Sequence, residues 1–139
     1  MKDGVYFVIA TGVQGDSPPE RSLNQALEEN TKDLLSIAES ISSITSRVLI
    51  TNSDSLISVV GSKYPEVSVK RSSRNFHFGE ALFELIENHE IDNLLYAGGG
   101  SGSLLEKEDF EKVCSFLVRS TDCLICNNFY STDIIGLSN

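Results

Sequence analysis

The sequence is short of basic residues. Lys and Arg number 11 against 20 Asp and Glu, a formal net charge of -9. Nucleic-acid binders present a basic footprint to the phosphate backbone, so this balance argues against a nucleic-acid partner. A nucleotide ligand stays open, because backbone N–H groups hold phosphate on an acidic protein as well. Cysteine is scarce and odd in number, at Cys114, Cys123 and Cys126. Three cysteines, two of them in apolar stretches, do not make a secreted disulfide framework. Cys123 and Cys126 have Cys-x-x-Cys spacing inside the strand-like run Asp122-Cys123-Leu124-Ile125-Cys126. A strand turns residues i and i+3 to opposite faces, which defeats chelation, so the cysteines read as buried small hydrophobes. No apolar stretch approaches the ~20 residues of a membrane span. The start Met1-Lys2-Asp3-Gly4 runs straight into a short strand, not into a signal peptide. Pro and Gly are too few for a disordered chain. A soluble, cytoplasmic protein without a membrane partner is expected.

The 139 residues, 40% of them apolar and 22% charged, suit a single domain over 1–139. A chain of that size buries roughly two thirds of its unfolded surface and needs no metal or disulfide staple. Val5-Tyr6-Phe7-Val8-Ile9-Ala10 is a continuous apolar run and predicts a strand covered on both faces. Gly12, Gly15, Pro18 and Pro19 mark a long loop running to about Ser22. Leu34, Ile37, Ala38, Ile41 and Ile44 then recur at helical spacing. That helix begins near Leu23 or restarts at Asn30, a candidate N-cap, and Ser42, Ser43, Thr45 and Ser46 close it. Arg47–Thr51 is a second strand, followed by a turn and cap at Asn52, Ser53 and Asp54, and by a short helix that Gly61 stops. Further elements are a half-exposed strand over Glu66–Lys70, a helix from Phe78 to near His89, the strand Asn93–Ala97, a helix from about Glu106 and the strand Cys123–Asn127. Ile134 and Ile135 hint at one more. Strict β-α alternation predicts right-handed crossovers and an α/β three-layer sandwich with a mostly parallel, Rossmann-like sheet.

Ligands bind such sheets outside the carboxyl ends of the strands. Four segments fall there: Ala10–Ser22, Thr51–Asp54, Gly98–Ser103 and Asn127–Asp133. Gly98-Gly99-Gly100-Ser101-Gly102-Ser103 is the most specific of them. Its four glycines let the backbone turn sharply near a ligand, and Ser101 and Ser103 add hydroxyls. The following helix is expected to offer free N–H groups and the positive end of its dipole. It is neither a Walker loop nor a dinucleotide fingerprint. The first loop contributes Thr11, Gly12, Gln14, Gly15, Asp16, Ser17 and Arg21. Lys63, Lys70, Arg71 and Arg74 form a small basic patch, read chiefly as solvated surface charge. His77 and His89 are isolated. Asp133 is a candidate carboxylate for a divalent cation, or a turn residue.

The order of first strand, Gly-containing loop, Arg21-Ser22-Leu23-Asn24 and helix resembles the start of the small nucleotidyltransferases of glycosyltransferase-A-like fold, in particular the molybdenum-cofactor and phospholactate guanylyltransferases. The run from Leu94 to Leu105, with its acidic continuation Glu106, Glu108 and Asp109, resembles the family's strand, metal-binding turn and helix. The likeness spans about 110 residues in order and spacing. Where the family has a metal-binding Asp this chain has Ser101, and where it has Pro this chain has Ser103. Arg21 stands alone on the triphosphate side, with Asn24 near the family's lysine.

The resemblance implies that a nucleoside triphosphate lies across the two loops and that its nucleotidyl group passes to a small phosphorylated acceptor. Gly12, Gly15 and Arg21 would hold phosphates and base. Mg²⁺ would sit near Ser101 and Asp133, with Asp54 as another carboxylate to be considered. It also implies a missing C-terminal part that carries the acceptor site. A module that binds a nucleotide or sugar phosphate without turnover is the alternative, and a structural protein with a vestigial pocket is the third reading.

Overall fold

The computed structural model describes residues 4–13, 15–73, 77–128 and 133–139. The apolar run at the start forms β1 (Val5–Thr11). Its side chains alternate between two cores, Val5, Phe7 and Ile9 on one face of the sheet and Val8 on the other. The helix that follows, α1 (Pro18–Glu39), starts well before Leu23. Pro18 and Pro19 open it instead of prolonging a loop. Proline lacks the N–H that the first turn leaves unpaired anyway, and its fixed φ is already helical. Ser17 is the N-cap and accepts from the Glu20 N–H at 3.4 Å. Asn30 is therefore a mid-helix residue, not a cap. At the other end, the Val5 N–H donates to the Ser43 carbonyl at 2.8 Å and draws the segment after Ser40 into the sheet. Ile44, Thr45 and Ser46 thus belong to β2 (Ile44–Thr51) rather than to the end of the helix.

Next comes α2 (Asp54–Lys63), capped by Ser53, which accepts from the Leu56 N–H at 3.2 Å. Gly61 does not stop this helix. It does not take the left-handed φ that would end a helix, so α2 runs through it to Lys63. Then follow β3 (Val67–Arg71), α3 (Phe78–His89), β4 (Asn93–Gly98) and α4 (Lys107–Arg119). The chain closes with β5 (Cys123–Cys126) and β6 (Ile134–Ser138).

The six strands form one sheet in the order β3-β2-β1-β4-β6-β5. β1, β2, β3 and β4 are mutually parallel, and β6 runs antiparallel between β4 and β5. The expected alternation of five strands and four helices holds, with β5 parallel to β4, and Ile134 and Ile135 belong to the added strand β6. The chain folds back after β5, where the Asn127 side chain accepts from the N–H groups of Asp133 and Ile134 at 3.1 Å each. α1, α2 and α4 cover one face and supply Leu34, Leu35, Leu56, Val60, Phe110 and Leu117 to its core. α3 covers the other face with Leu82 and Leu85. The α/β three-layer sandwich with a mostly parallel sheet is the observed architecture. No helix among the described residues is long and apolar enough to cross a membrane.

The cysteines divide. Cys114 lies fully buried under α4, Cys123 packs against the same core, and Cys126 is exposed. The expectation of buried cysteines therefore fails at Cys126, because β5 is an edge strand with one face in solvent. Burial pushes the Cys114 thiol up from 9.0 to about 11, with a hydrogen bond to Ser43 acting the other way. Below pH 9 the thiol is protonated folded or unfolded, and its contribution to stability is fully present. Between about 9 and 11 the unfolded thiol ionises first, so that contribution is lost as pH rises. Urea unfolding at a series of pH values is expected to show the stability difference between wild type and Cys114→Ala shrinking by about 2–3 kcal/mol across this window.

Candidate functional site

The chain runs β1, β2, β3 to one side and then crosses to β4 on the other side of β1. The topological switch therefore lies between β1 and β4, where open α/β sheets bind ligands. Here the two strand ends touch. The Gly99 N–H donates to the Ala10 carbonyl at 2.9 Å. A Cβ on Gly99 would stand 2.4 Å from Cβ and Oγ1 of Thr11 and 2.9 Å from Oγ1 of the buried Thr31. Only glycine fits this junction. Gly102 is fixed differently, by a φ of 73° and by Phe110 Cζ 3.1 Å from its missing Cβ.

The glycine turn is bonded on every side. Gly98 donates to the Asp133 carbonyl at 3.0 Å, and Ser101 donates to the Gly98 carbonyl at 3.0 Å. The Asn30 side-chain amide donates to the carbonyls of Gly99 and Ser101 at 2.6 and 2.8 Å. The N–H groups of Gly98, Gly99 and Ser101 are thus spent within the protein. α4 starts where expected, but neither helix start brings its first N–H groups to the turn as expected. α4 begins four residues past Ser103, and the Glu106 N–H before it donates to the Asp109 carboxylate at 2.9 Å. Pro18 and Pro19 give the start of α1 no N–H to offer, and Ser17 accepts that of Glu20.

Across the switch point the first loop is held from two directions. The Val13 N–H donates to Asn52 Oδ1 at 2.8 Å, and Asn24 Nδ2 donates to the Gly15 carbonyl at 2.8 Å. Between loop and turn lies a cleft of about 340 Å³, lined by Thr11, Gly12, Asn52, Ser72, Ser73, Tyr96 and Gly99 over Ala10, Leu27 and Ile50. Among the described residues its lining carries no charged side chain and mixes hydroxyl and amide groups with apolar surface from Ala10, Leu27 and Ile50. A second hollow of about 330 Å³ continues from it, sharing Ile50, Ser72 and Ser73 and adding Lys70, Arg71 and His77, with Glu80 and Glu84 opposite. Tyr96 packs its ring on Phe78 at 4.4 Å. Burial, and then the charge of Asp133, raise its phenol above the usual value and keep it a neutral donor.

Thr11, Gly12 and Gly99 line this cleft together. Ser101 and Asp133 meet at the end of β4, Ser101 Oγ 3.1 Å and the Asp133 carbonyl 4.0 Å from the point where a Gly98 Cβ would stand. Gly100 and Arg21 are exposed and line none of these hollows, Gly15 likewise stays outside the cleft, and Ser103 opens to a separate depression between α1 and the turn. Arg71 is engaged with Asp54 at 2.6 Å, and Lys63 lies over the Tyr64 ring at 5.4 Å. Arg74 and Gln14 lie outside the described residues. No group of three His, Cys, Asp or Glu side chains able to hold a metal converges among the described residues, so the donors at Gly98 do not form a metal centre by themselves.

Residue-by-residue reading of the sequence misses Ser72, Ser73 and Tyr96, and takes Asn30 for a candidate helix cap. The strand-end rule reaches Asn52 as a turn residue. It reaches Ser72 and Ser73 once β3 is extended to Arg71. Nothing local marks Asn30, whose partners lie 69 and 71 residues away.

No protein-family model and no curated protein matches the chain. Solved structures do. One is a CMP:2-keto-3-deoxy-manno-octonic acid synthetase complexed with CTP, at TM-score 0.60 and 13% identity over 79% of this chain and 45% of that one. A second is a 4-diphosphocytidyl-2C-methyl-D-erythritol synthase, at 0.64 and 13% over 99% and 74%. A third is a cytidylyltransferase from Leptospira borgpetersenii serovar Hardjo-bovis, at 0.55 and 16% over 99% and 60%. The chain thus spans less than half the length of the first and about three quarters of the second. The fold is nucleotidyltransferase-like. None of the three is a molybdenum-cofactor or phospholactate guanylyltransferase.

The junction predicts a specific pattern of stability. Gly99→Ala forces Thr11 aside and is expected to cost about 1–3 kcal/mol in denaturant unfolding. Thr11→Gly opens the space that the new methyl needs, so the double variant should recover part of that loss.

Proposed function

We propose that this chain is a nucleotide-binding protein whose ligand lies in the cleft between β1 and β4. The observation that carries the reading is the cleft itself, a neutral hollow of about 340 Å³ at the switch point of a nucleotidyltransferase-like sheet. Thr11, Gly12 and Gly99 form its floor, and Asn52, Ser72, Ser73 and Tyr96 supply amide and hydroxyl groups of the kind that orient a base and ribose. In this reading the phosphates reach outward toward Gly15 and Arg21 on one side and toward Gly98, Gly100, Ser101 and Ser103 on the other. One of the similar structures was solved with CTP, and two others bear cytidylyl names, so a cytidine nucleotide is the first ligand to test.

Transfer of the nucleotidyl group to a small phosphorylated acceptor is the second reading. The charge of Asp133, which reaches the Tyr96 phenol in the cleft wall, favours it, because a phosphate-bound cation needs a carboxylate nearby. Mg²⁺ arriving with the triphosphate would neutralise the charge that develops during transfer. Asp133 is the carboxylate assigned to it.

Thermal unfolding with CTP, GTP and ATP, each with and without Mg²⁺, separates the two. A nucleotide at 100 times its dissociation constant adds about 2.7 kcal/mol. Stabilisation that ignores Mg²⁺ supports the binding protein. Stabilisation that requires Mg²⁺ and is lost in Asp133→Asn supports transfer. No shift with any of the three rejects both.

A further inference from the structure

Asn30 is an unusual residue for the middle of a 22-residue helix. Asparagine is a weak helix former because its side chain competes for the backbone. Here the side chain is turned outward to other elements. Both of its amide hydrogens are used, on the carbonyls of Gly99 and Ser101. Two carbonyls can only accept, so the nitrogen end must face them, and Asp or Leu at this position would offer them no donor. The two carbonyls bracket Gly100. Gly99 is therefore fixed at both polar groups, its N–H on β1 and its carbonyl on α1. Ser101 is fixed likewise, its N–H on Gly98 and its carbonyl on α1. With its backbone held at both ends, the turn decides where the Ser101 hydroxyl points.

The same helix also holds the first loop. Asn24, six residues earlier, ties down the Gly15 carbonyl. One element thus braces both the loop after β1 and the turn after β4 through its two asparagines.

We propose that Asn30 is the positioning residue of the nucleotide site, acting through the glycine turn on Ser101 without touching the ligand itself. The proposal rests on the nucleotide-binding reading above. Sites lose affinity when the groups that support the contacting residues are left loose. A residue that acts through another has a recognisable signature. Its effect on binding disappears once that other residue is gone, whereas its effect on stability does not.

The test is a double-variant cycle on the full chain with CTP as the probe, read by calorimetric titration, beside amide hydrogen exchange of the ligand-free protein. Asn30→Ala and Ser101→Ala are each expected to weaken CTP about tenfold, and the double variant no more than the worse single. Exchange at the Gly99 and Ser101 amides should rise at least tenfold in Asn30→Ala, with β2 unchanged. Asn30→Leu, which is close in volume and adds no charge, repeats the comparison if the alanine variant does not fold. Multiplied losses in the double variant, or unaltered CTP binding in Asn30→Ala, overturn the positioning role. Unaltered exchange overturns the clamp itself. A wild-type chain that binds no CTP rejects the functional reading, and the exchange rates then decide the clamp on their own.

Discussion

The architecture of the site depends on one close approach. Gly99 meets Thr11 where β1 and β4 end, at a separation that leaves no room for a side-chain carbon. This contact lets the turn after β4 fold down onto the end of β1 and exchange a backbone hydrogen bond with Ala10. With the turn seated there, its carbonyls fall within reach of Asn30. A bulkier residue would lift the turn, withdraw Ser101 and open the floor of the cleft. The glycine-rich stretch is thus a packed joint as much as a flexible loop.

The fold agrees with the cytidylyl-type structures at TM-scores of 0.55–0.64 and 13–16% identity. Agreement at that level is agreement of backbone. In the turn after β4 the N–H groups of Gly98, Gly99 and Ser101 are bonded within the protein, and Ser101 carries the hydroxyl. Oriented hydroxyl and amide groups remain in the cleft, and these suit recognition by hydrogen bonding.

Much of the scaffold is legible in the sequence, for a physical reason. Strands covered on both faces must be apolar throughout, so β1 and β4 stand out, and α3 and α4 have plain helical periodicity. The errors come from residues with two uses. Pro18 and Pro19 break a helix in its interior and begin one at its first turn. Gly61 ends a helix only when the chain needs a left-handed residue there. An apolar strand of five residues looks the same in either direction, so the reversal of β6 could not be read from Ile134 and Ile135. At the site, Thr11, Gly12 and the glycine turn follow from the strand-end rule. Asn30 does not, because its importance comes from carbonyls that only the fold brings to it.

The central claim is that a nucleotide occupies the cleft between β1 and β4. Mapping CTP-induced shifts of the backbone amide resonances tests it most directly. The account predicts shifts concentrated at Thr11, Gly12, Asn52, Ser72, Tyr96 and Gly99, with the amides of α4 and β5 unmoved. Shifts centred on the exposed edge strand at Leu124, or spread evenly over the surface, would contradict it.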